Sequence, residues 1–540
     1  MKAFCLYPTL RPACQPETGP HGGRRALLFC SRLLSFTLRR VFSSATPDFI
    51  LVNGRHAAAV SLPRARRAKP DLTTTFQPTV MKFGGTSVED ARAFGRVAEL
   101  VSRHTASRPV VVVSAMSRVT DALLEAFEAA TRGEHEAALR SLEVHFERHV
   151  AIARELLTAE AAAEFGATVE AARRELEGAL REASGQTRPL PLLQDSVVSC
   201  GEQLSSQLLA AVLRARGLKA SHADARRCVI TDDEHGRATP LREETERHTR
   251  ELLEPLIDEG GIPVLGGFIA SSAATGETTT LGRGGSDFTA GLVGAALRAR
   301  EIQIWTDVPG VLTADPRVVK DVRTIPRLSY AEAAELAYFG AKVLHPKTIL
   351  PAVVRNVPVR ICNSRAPASP DTVVYFDAEM TPRTVKAIAH KTGVSIVHVT
   401  SARMLGEYGF LRAIFEVFER HRTAVDIVTT SEVSVSLSLE DTSALGPIIE
   451  DLSRIAAVKV ESERAIVCIV GEGLRSTPGI AGRVFSTIKD INVLLISQGA
   501  STVNLTFVVE ERHAAEAVRR LHEAFFECAT AELLAQIGGH

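Results

Sequence analysis

Residues 79–88 read TVMKFGGTSV. An apolar run carrying a single lysine, Lys82, breaks into Gly84 and Gly85, then Thr86 and Ser87. A short β-branched run delivering a glycine turn is how an α/β unit begins, and successive N–H groups in such a turn can cradle an anion. No Gly-Lys-Ser/Thr closes the turn, so it is not a P-loop. Taken alone, the stretch also reads as an ordinary tight turn with a lysine reaching solvent.

Working outward, short β-branched runs recur at TVMKF, PVVVVSA, IPVLGGFIA, EIQIWTDV and VPVRICNS, with long helical stretches between several of them. That alternation over residues 79–365 predicts a mostly parallel sheet covered on both faces. Between Thr120 and Ser184 there is no proline and much Ala, Glu, Leu and Arg, which predicts two or three consecutive helices, a lid or packing arm outside the sheet.

With 540 residues the chain exceeds a single core. Lys+Arg and Asp+Glu are both 63, so no net charge draws it to nucleic acid or an anionic membrane. No apolar run is long enough to span a bilayer. The eight cysteines contain no C-x-x-C, and Cys200, Cys228, Cys362, Cys468 and Cys528 read as buried reduced thiols. Residues 1–78 stand apart, with ten arginines, two lysines and three acids, Glu17, Asp48 and Asp71. The composition fits an organellar transit peptide. A start codon assigned too far upstream, with Met81 the first methionine after Met1 and at the start of the folded pattern, is the favoured explanation.

The tail from 383 holds an internal repeat. Gly409 and Phe415 match Gly479 and Phe485 at an offset of 70. Val425, Ile427, Val435 and Leu437 match Val493, Leu495, Val503 and Leu505 at an offset of 68. Each copy reads strand, glycine turn, helix, strand, turn, strand. Two small α+β modules, 383–455 and 456–540, are expected.

Four further stretches carry chemistry. In LGRGGSDFTA, glycines surround Arg283, with Ser286 as a helix N-cap and Asp287 in the first turn. An arginine so placed suits a carboxylate or phosphate. WTDVPGVLTADPR puts Thr306 and Asp307 at a strand end, where open α/β sheets bind ligands, and adds Arg317. FGAKVLHP supplies Lys342 and Val343, with His345 read as structural. SCGEQLSSQLL places Glu202 at a helix start. Glycine nests, cations and isolated carboxylates, without a Ser-His-Asp order, H-E-x-x-H or a metal cluster, suit phosphoryl transfer by a non-P-loop kinase. A phosphate-binding module without catalysis is the rival.

KFGGTSV, LGRGGSDFTA, WTDVPGVLTADPR and FGAKVLHP, in that order, resemble the aspartokinases of the amino-acid kinase superfamily, over roughly residues 79–540. The resemblance implies a three-layer αβα kinase domain followed by two ferredoxin-like ACT domains, as in the monofunctional, lysine-sensitive type. It implies phosphorylation of the β-carboxylate of L-aspartate by ATP with Mg2+, the first step toward lysine, threonine and methionine. That carboxylate is ionised at neutral pH and needs no general base. Lys82 and Asp287 are then catalytic. Ser114, Thr120, Glu202, Arg283 and Ser286 bind substrate, Glu202 taking the α-ammonium and Arg283 the α-carboxylate. Lys82, Gly84, Gly85, Thr306, Asp307, Arg317, Lys342 and Val343 bind nucleotide, and Leu312 stands where some relatives have tyrosine. No residue is assigned to metal.

MLGEYGFL and VDIVTTSEVSVSL resemble the lysine-sensing segment of a first ACT domain. Met404, Gly409, Phe410, Leu411, Val425, Asp426, Ser431 and Glu432 match effector positions. Gly406 and Glu407 depart from some lysine-sensitive relatives, so threonine or a second effector stays open. A homodimer or higher oligomer through the ACT domains is expected, in the cytoplasm, or in a plastid if residues 1–78 are a transit peptide. Another amino-acid kinase, or a catalytically dead amino-acid sensor, are the alternatives.

Overall fold

The protein is described from a computed structural model covering residues 77–340, 344–376, 385–406 and 408–527. The expectations for residues 1–76, Lys342, Val343, Glu407 and Cys528 lie outside the described residues.

The first half runs β1 (Thr79–Phe83), α1 (Ala91–Arg103), β2 (Pro109–Val113), then α2 (Val119–Thr131), α3 (His135–Leu156), α4 (Ala159–Gly185) and α5 (Leu190–Ala215). It continues through β3 (Ala220–His222), β4 (Ile230–Thr231), α6 (Arg242–Asp258), β5 (Ile262–Gly266), β6 (Ile269–Ser272), β7 (Thr278–Thr280) and α7 (Gly285–Ala296). It closes with β8 (Glu301–Thr306), β9 (Arg327–Ser329), α8 (Tyr330–Tyr338), α9 (Pro346–Val354), β10 (Val359–Asn363) and β11 (Thr372–Tyr375). Eight strands form one sheet in the order β3-β5-β2-β1-β8-β10-β11-β9, parallel except where β11 meets β10. The mostly parallel sheet anticipated from the strand–loop–helix alternation is therefore present.

Strand alternation sorts the two faces. Val80, Val110, Val112, Ile302 and Ile304 pack with Leu292 and Val293 of α7. Met81, Phe83, Val111 and Val113 pack on the other face with Phe146 and Leu176 from the helical arm and Leu209 from α5. Both faces are covered, which is why the strands read as nearly continuous apolar runs. The proline-free stretch forms three helices, α2 to α4, and IPVLGGFIA divides between two sheets, β5 in the large one and β6 in a small sheet β4-β6-β7.

The second half comprises β12 (Ala387–Thr400), α10 (Phe410–Arg420), β13 (Val428–Thr430), β14 (Ser434–Leu439), α11 (Leu445–Ser453), β15 (Ala457–Val470), α12 (Ile480–Thr487), β16 (Leu495–Gln498), β17 (Asn504–Glu510) and α13 (Glu511–His522). Its sheet order, β13-β14-β12-β15-β17-β16, mirrors itself about the β12–β15 pair. The repeat seen in sequence is thus a repeat in topology. Gly409 at φ 85° and Gly479 at φ 80° both cap their helices, α10 and α12. β12 and β15 each serve two cores. Residues Ala387 to Lys391 pair with Ile466 to Val470, and Ile396 to Thr400 pair with Ala457 to Glu461. Ile388 joins the core under α12 and α13, whereas Val397 and Val399 join the core under α10 and α11.

Candidate active site

A cavity of about 620 Å³ opens at the carboxyl ends of β1, β2 and β5, the edge at which open α/β sheets bind ligands. Its wall includes Lys82, Gly85, Ser114, Thr120, Glu202, Arg283, Ser286 and Asp287. All five residues expected to bind substrate and both expected to be catalytic are brought together there.

Lys82 shares a strand face with Val80, the face covered by α7. Asp287 lies in the first turn of that helix, so the two meet, with Nζ 2.6 Å from Oδ1 and both side chains largely enclosed. The capping position of α7 is Gly284, at φ 75°, not Ser286. The left-handed backbone favours glycine there, and it starts the helix two residues earlier than a cap at Ser286 would. Gly85 is needed for close approach, since a Cβ on it would lie 2.9 Å from the Ala115 carbonyl oxygen. Gly84 donates its N–H to the Trp305 carbonyl at 3.3 Å, locking the turn to β8.

Glu202 does not open a helix. It lies within α5, which begins at Leu190, and its side chain is buried. One carboxylate oxygen, Oε2, has no hydrogen-bond partner among the described residues. Burial pushes the carboxyl from 4.5 up to about 8, against the backbone hydrogen bonds that favour its ionised form.

Asp195 was not singled out by sequence reasoning. It is buried on α5 and lines the same cavity. It accepts hydrogen bonds from Gly236 N at 2.9 Å, Thr280 Oγ1 at 2.5 Å and His235 Nδ1 at 2.9 Å. It thereby ties the loop after β4 to the strand leading into Arg283. The available signal was helical spacing, since residues 195, 198 and 202 all face the cavity at i, i+3 and i+7.

The residues expected at the nucleotide are more dispersed. Thr306 ends β8, and its hydroxyl donates to Asp307 Oδ1 at 3.2 Å, outside the cavity wall just described. Arg317 and Leu312 line a second cavity of about 320 Å³ together with Gly340 and His390. Arg317 is exposed and pairs with Asp315 at 2.6 Å, holding that carboxyl below its usual range.

In the second half, Met404, Phe410 and Val425 pack against one core, and Gly409 caps α10. Leu411 is exposed in its first turn, and Glu432 is exposed after β13. Ser431 Oγ lies 2.7 Å from Ser434 Oγ. Asp426, nearly buried, receives the Tyr338 hydroxyl and faces Lys391 Nζ at 3.7 Å.

An ion-paired strand lysine, a glycine-flanked arginine and a buried glutamate surround one cavity, a set of groups with the chemistry to hold anions. Residues 77–363 match the amino acid kinase family, and residues 467–525 match an ACT domain. The chain is 39% identical over 474 residues to chloroplastic aspartokinase 3 of Arabidopsis thaliana, covering 85% of this chain and 83% of the relative. It is similar in structure to Escherichia coli aspartokinase III solved with lysine and aspartate in the T-state, with a TM-score of 0.72 at 37% identity, over 83% of this chain and 100% of that one. The same enzyme solved with aspartate and ADP in the R-state also gives 0.72 at 37%, over 84% and 100%. The fold is that of an amino acid kinase. Within that class, the chain belongs to the aspartokinase family.

Proposed function

We propose that the protein transfers the γ-phosphoryl group of ATP to the β-carboxylate of L-aspartate, giving 4-phospho-L-aspartate at the head of lysine, threonine and methionine biosynthesis. The observation that carries this reading is the convergence of Lys82–Asp287, Arg283 and the buried Glu202 on one cavity. Glu202 takes the α-ammonium, since a bound cation would satisfy its unpartnered oxygen. Arg283, exposed between two glycines at the mouth of α7, takes the α-carboxylate. Ser114, Thr120 and Ser286 supply hydroxyls around the substrate. Lys82, steered by Asp287, neutralises charge as the phosphoryl group passes. The chemistry is positioning and charge neutralisation between two anions, with no proton to remove.

Gly84, Gly85, Thr306, Asp307, Arg317, Lys342 and Val343 are assigned to the nucleotide. Mg2+ fits a site without a cage of its own. No group of three His, Cys, Asp or Glu stands together among the described residues, and this ion is usually held by one or two carboxylates plus substrate phosphates. Asp287 is the carboxylate nearest the phosphoryl-handling lysine. When bound, the ion would neutralise the β- and γ-phosphate oxygens.

Residues 383–455 and 456–540 are assigned as paired ACT modules that assemble a homo-oligomer and take lysine at Asp426, Gly409 and their neighbours. The E. coli relative solved with lysine supports that effector. Residues 79–365 are the catalytic domain. A cytoplasmic setting, or a plastid one as in the chloroplastic relative, is assigned with residues 1–78 as the deciding segment.

The test is ATP consumption that depends on L-aspartate, run against a panel of glutamate, N-acetylglutamate and nucleoside monophosphates. Turnover with another acceptor and none with aspartate would overturn the assignment, and lysine and threonine titrations separate the effectors.

A further inference from the structure

The loop of residues 114–118 is held from several sides. Ser114 N donates to the Phe83 carbonyl at 3.1 Å, and Ser117 N to the Gly85 carbonyl at 3.2 Å. Ser205 Oγ donates to the Ser114 carbonyl at 2.7 Å, and Arg148 Nη2, reaching from α3, to the Ser117 carbonyl at 2.8 Å. In this fixed frame Arg118 sits at φ 69°, ψ 0°, at the capping position of α2. Glycine takes that conformation freely and arginine does not. Strain of this kind persists only where the surroundings over-determine it, and it gathers at ligand sites.

Arg118 lines the substrate cavity. Three cations do so, and Lys82 is paired with Asp287. Among the described residues, neither Arg118 nor Arg283 forms an ion pair. The proposed substrate carries two carboxylates and one ammonium. Glu202 answers the ammonium and Arg283 the α-carboxylate, which leaves one carboxylate and one guanidinium.

Resting on the aspartate kinase reading, we infer that Arg118 is a further substrate-contacting residue whose guanidinium holds the β-carboxylate of aspartate. One carboxylate oxygen is clamped and the other faces the nucleotide. That oxygen forms the new bond to γ-phosphorus as the bond from γ-phosphorus to the bridging oxygen breaks. The electron pair leaves with ADP, and no proton moves. The clamp fixes the reach between the two carboxylates and so favours a four-carbon diacid over a longer one.

Full-length Arg118→Gly and Arg118→Lys test this by steady-state kinetics with aspartate and ATP varied separately. Glycine removes the guanidinium while relaxing the backbone, so folding is preserved, and a melting curve verifies it. A charged hydrogen bond lost from a site weakens binding about tenfold or more. The KM for aspartate in Arg118→Gly should rise by that factor, with the KM for ATP held within about twofold. Arg118→Lys should lie between. An unchanged aspartate KM in Arg118→Gly, or a rise confined to ATP, overturns the inference. Wild-type protein without aspartate-dependent turnover would instead overturn the kinase reading beneath it.

Discussion

Tyr338 Oη lies 2.5 Å from Asp426 Oδ1, so the last residue of a catalytic-half helix hydrogen-bonds the carboxylate proposed to take an effector's ammonium. Burial and the Asp426 carboxylate both push the Tyr338 hydroxyl above its usual range, so it stays a donor. Lys391 Nζ stands 3.7 Å from the same oxygen, 4.9 Å from the Tyr338 ring centre and 2.7 Å from Glu440. Asp426 Oδ1 is therefore served by groups of this chain, while its Oδ2 has no hydrogen-bond partner among the described residues. With lysine as the proposed effector, its ammonium would compete with them for Oδ1, and its binding would loosen α8 from the second-half sheet. Tyr338→Phe removes one competitor. Its half-inhibiting lysine concentration should fall about threefold to tenfold, the scale of one hydrogen bond to a charged group. Turnover without lysine should stay within about twofold of wild type. A lysine titration of both proteins decides it, and a rise in the half-inhibiting concentration would reverse the proposed competition.

With Glu202 as the proposed partner of the α-ammonium, aspartate binding should depend on pH. With its carboxyl near 8, the empty site holds a neutral acid at pH 7, whereas the ammonium partner must be ionised. Binding aspartate therefore releases a proton. The KM for aspartate should fall as pH rises from 7 to 9 and then level off. Stability runs the other way. A carboxyl raised from 4.5 to about 8 on folding contributes stability that is full below 4.5 and lost as pH climbs through 8. Ligand-free protein should thus melt progressively lower across that window, and Glu202→Gln should flatten the dependence while weakening aspartate binding. Calorimetry at several pH values, with and without aspartate, reads both.

Much of this was legible in the sequence where local pattern and local chemistry agree. The run TVMKF has the apolar pattern of a buried strand, Gly84 and Gly85 mark its turn, and Asp287 opens a helix wherever that helix lies. Arg283 was visible because glycines flank it. Glu202 was read at a helix start, but Gly201 before it lies in the interior of α5. Glycine is required there inside α5, since a Cβ would lie 2.8 Å from that of Ala115, a contact between segments far apart in sequence. Asp195 carries no motif, and its donors come from residues 235, 236 and 280. The sharing of β12 and β15 between two cores depends on strand register, which non-local pairing decides. The strain at Arg118 has no signature in composition at all.

Asp195 organises the wall of the cavity without a place in the proposed transfer. Asp195→Ala would leave Gly236 N and Thr280 Oγ1 without their buried acceptor. The expected loss is about 1–3 kcal/mol of stability. Because the strand held here, β7, leads into Arg283, the KM for aspartate should rise more than the KM for ATP. Asp195→Asn keeps an acceptor oxygen and should recover part of both. Equal effects on the two substrates would show a general loss of structure instead.

Glu332 and Lys386 form a buried pair, 2.8 Å apart, where α8 meets the root of the regulatory sheet. Glu332 also closes the capping box at the start of α8, accepting from Ser329 N at 2.8 Å while its own N–H donates to Ser329 Oγ at 3.1 Å. The carboxylate thus fixes the helix that ends in Tyr338 and anchors the strand that carries Lys391. Glu332→Gln retains a capping oxygen but strands the Lys386 ammonium in the interior. Leaving such a charge unpaired costs about 3–5 kcal/mol, whereas replacing both partners with apolar groups is often neutral. Urea unfolding should therefore show a large loss for Glu332→Gln and recovery of most of it when Lys386→Met is added. The double variant should also respond less to lysine, because the ionic tie between α8 and β12 is gone even though stability has returned. Full lysine response in that variant would assign the tie to folding alone.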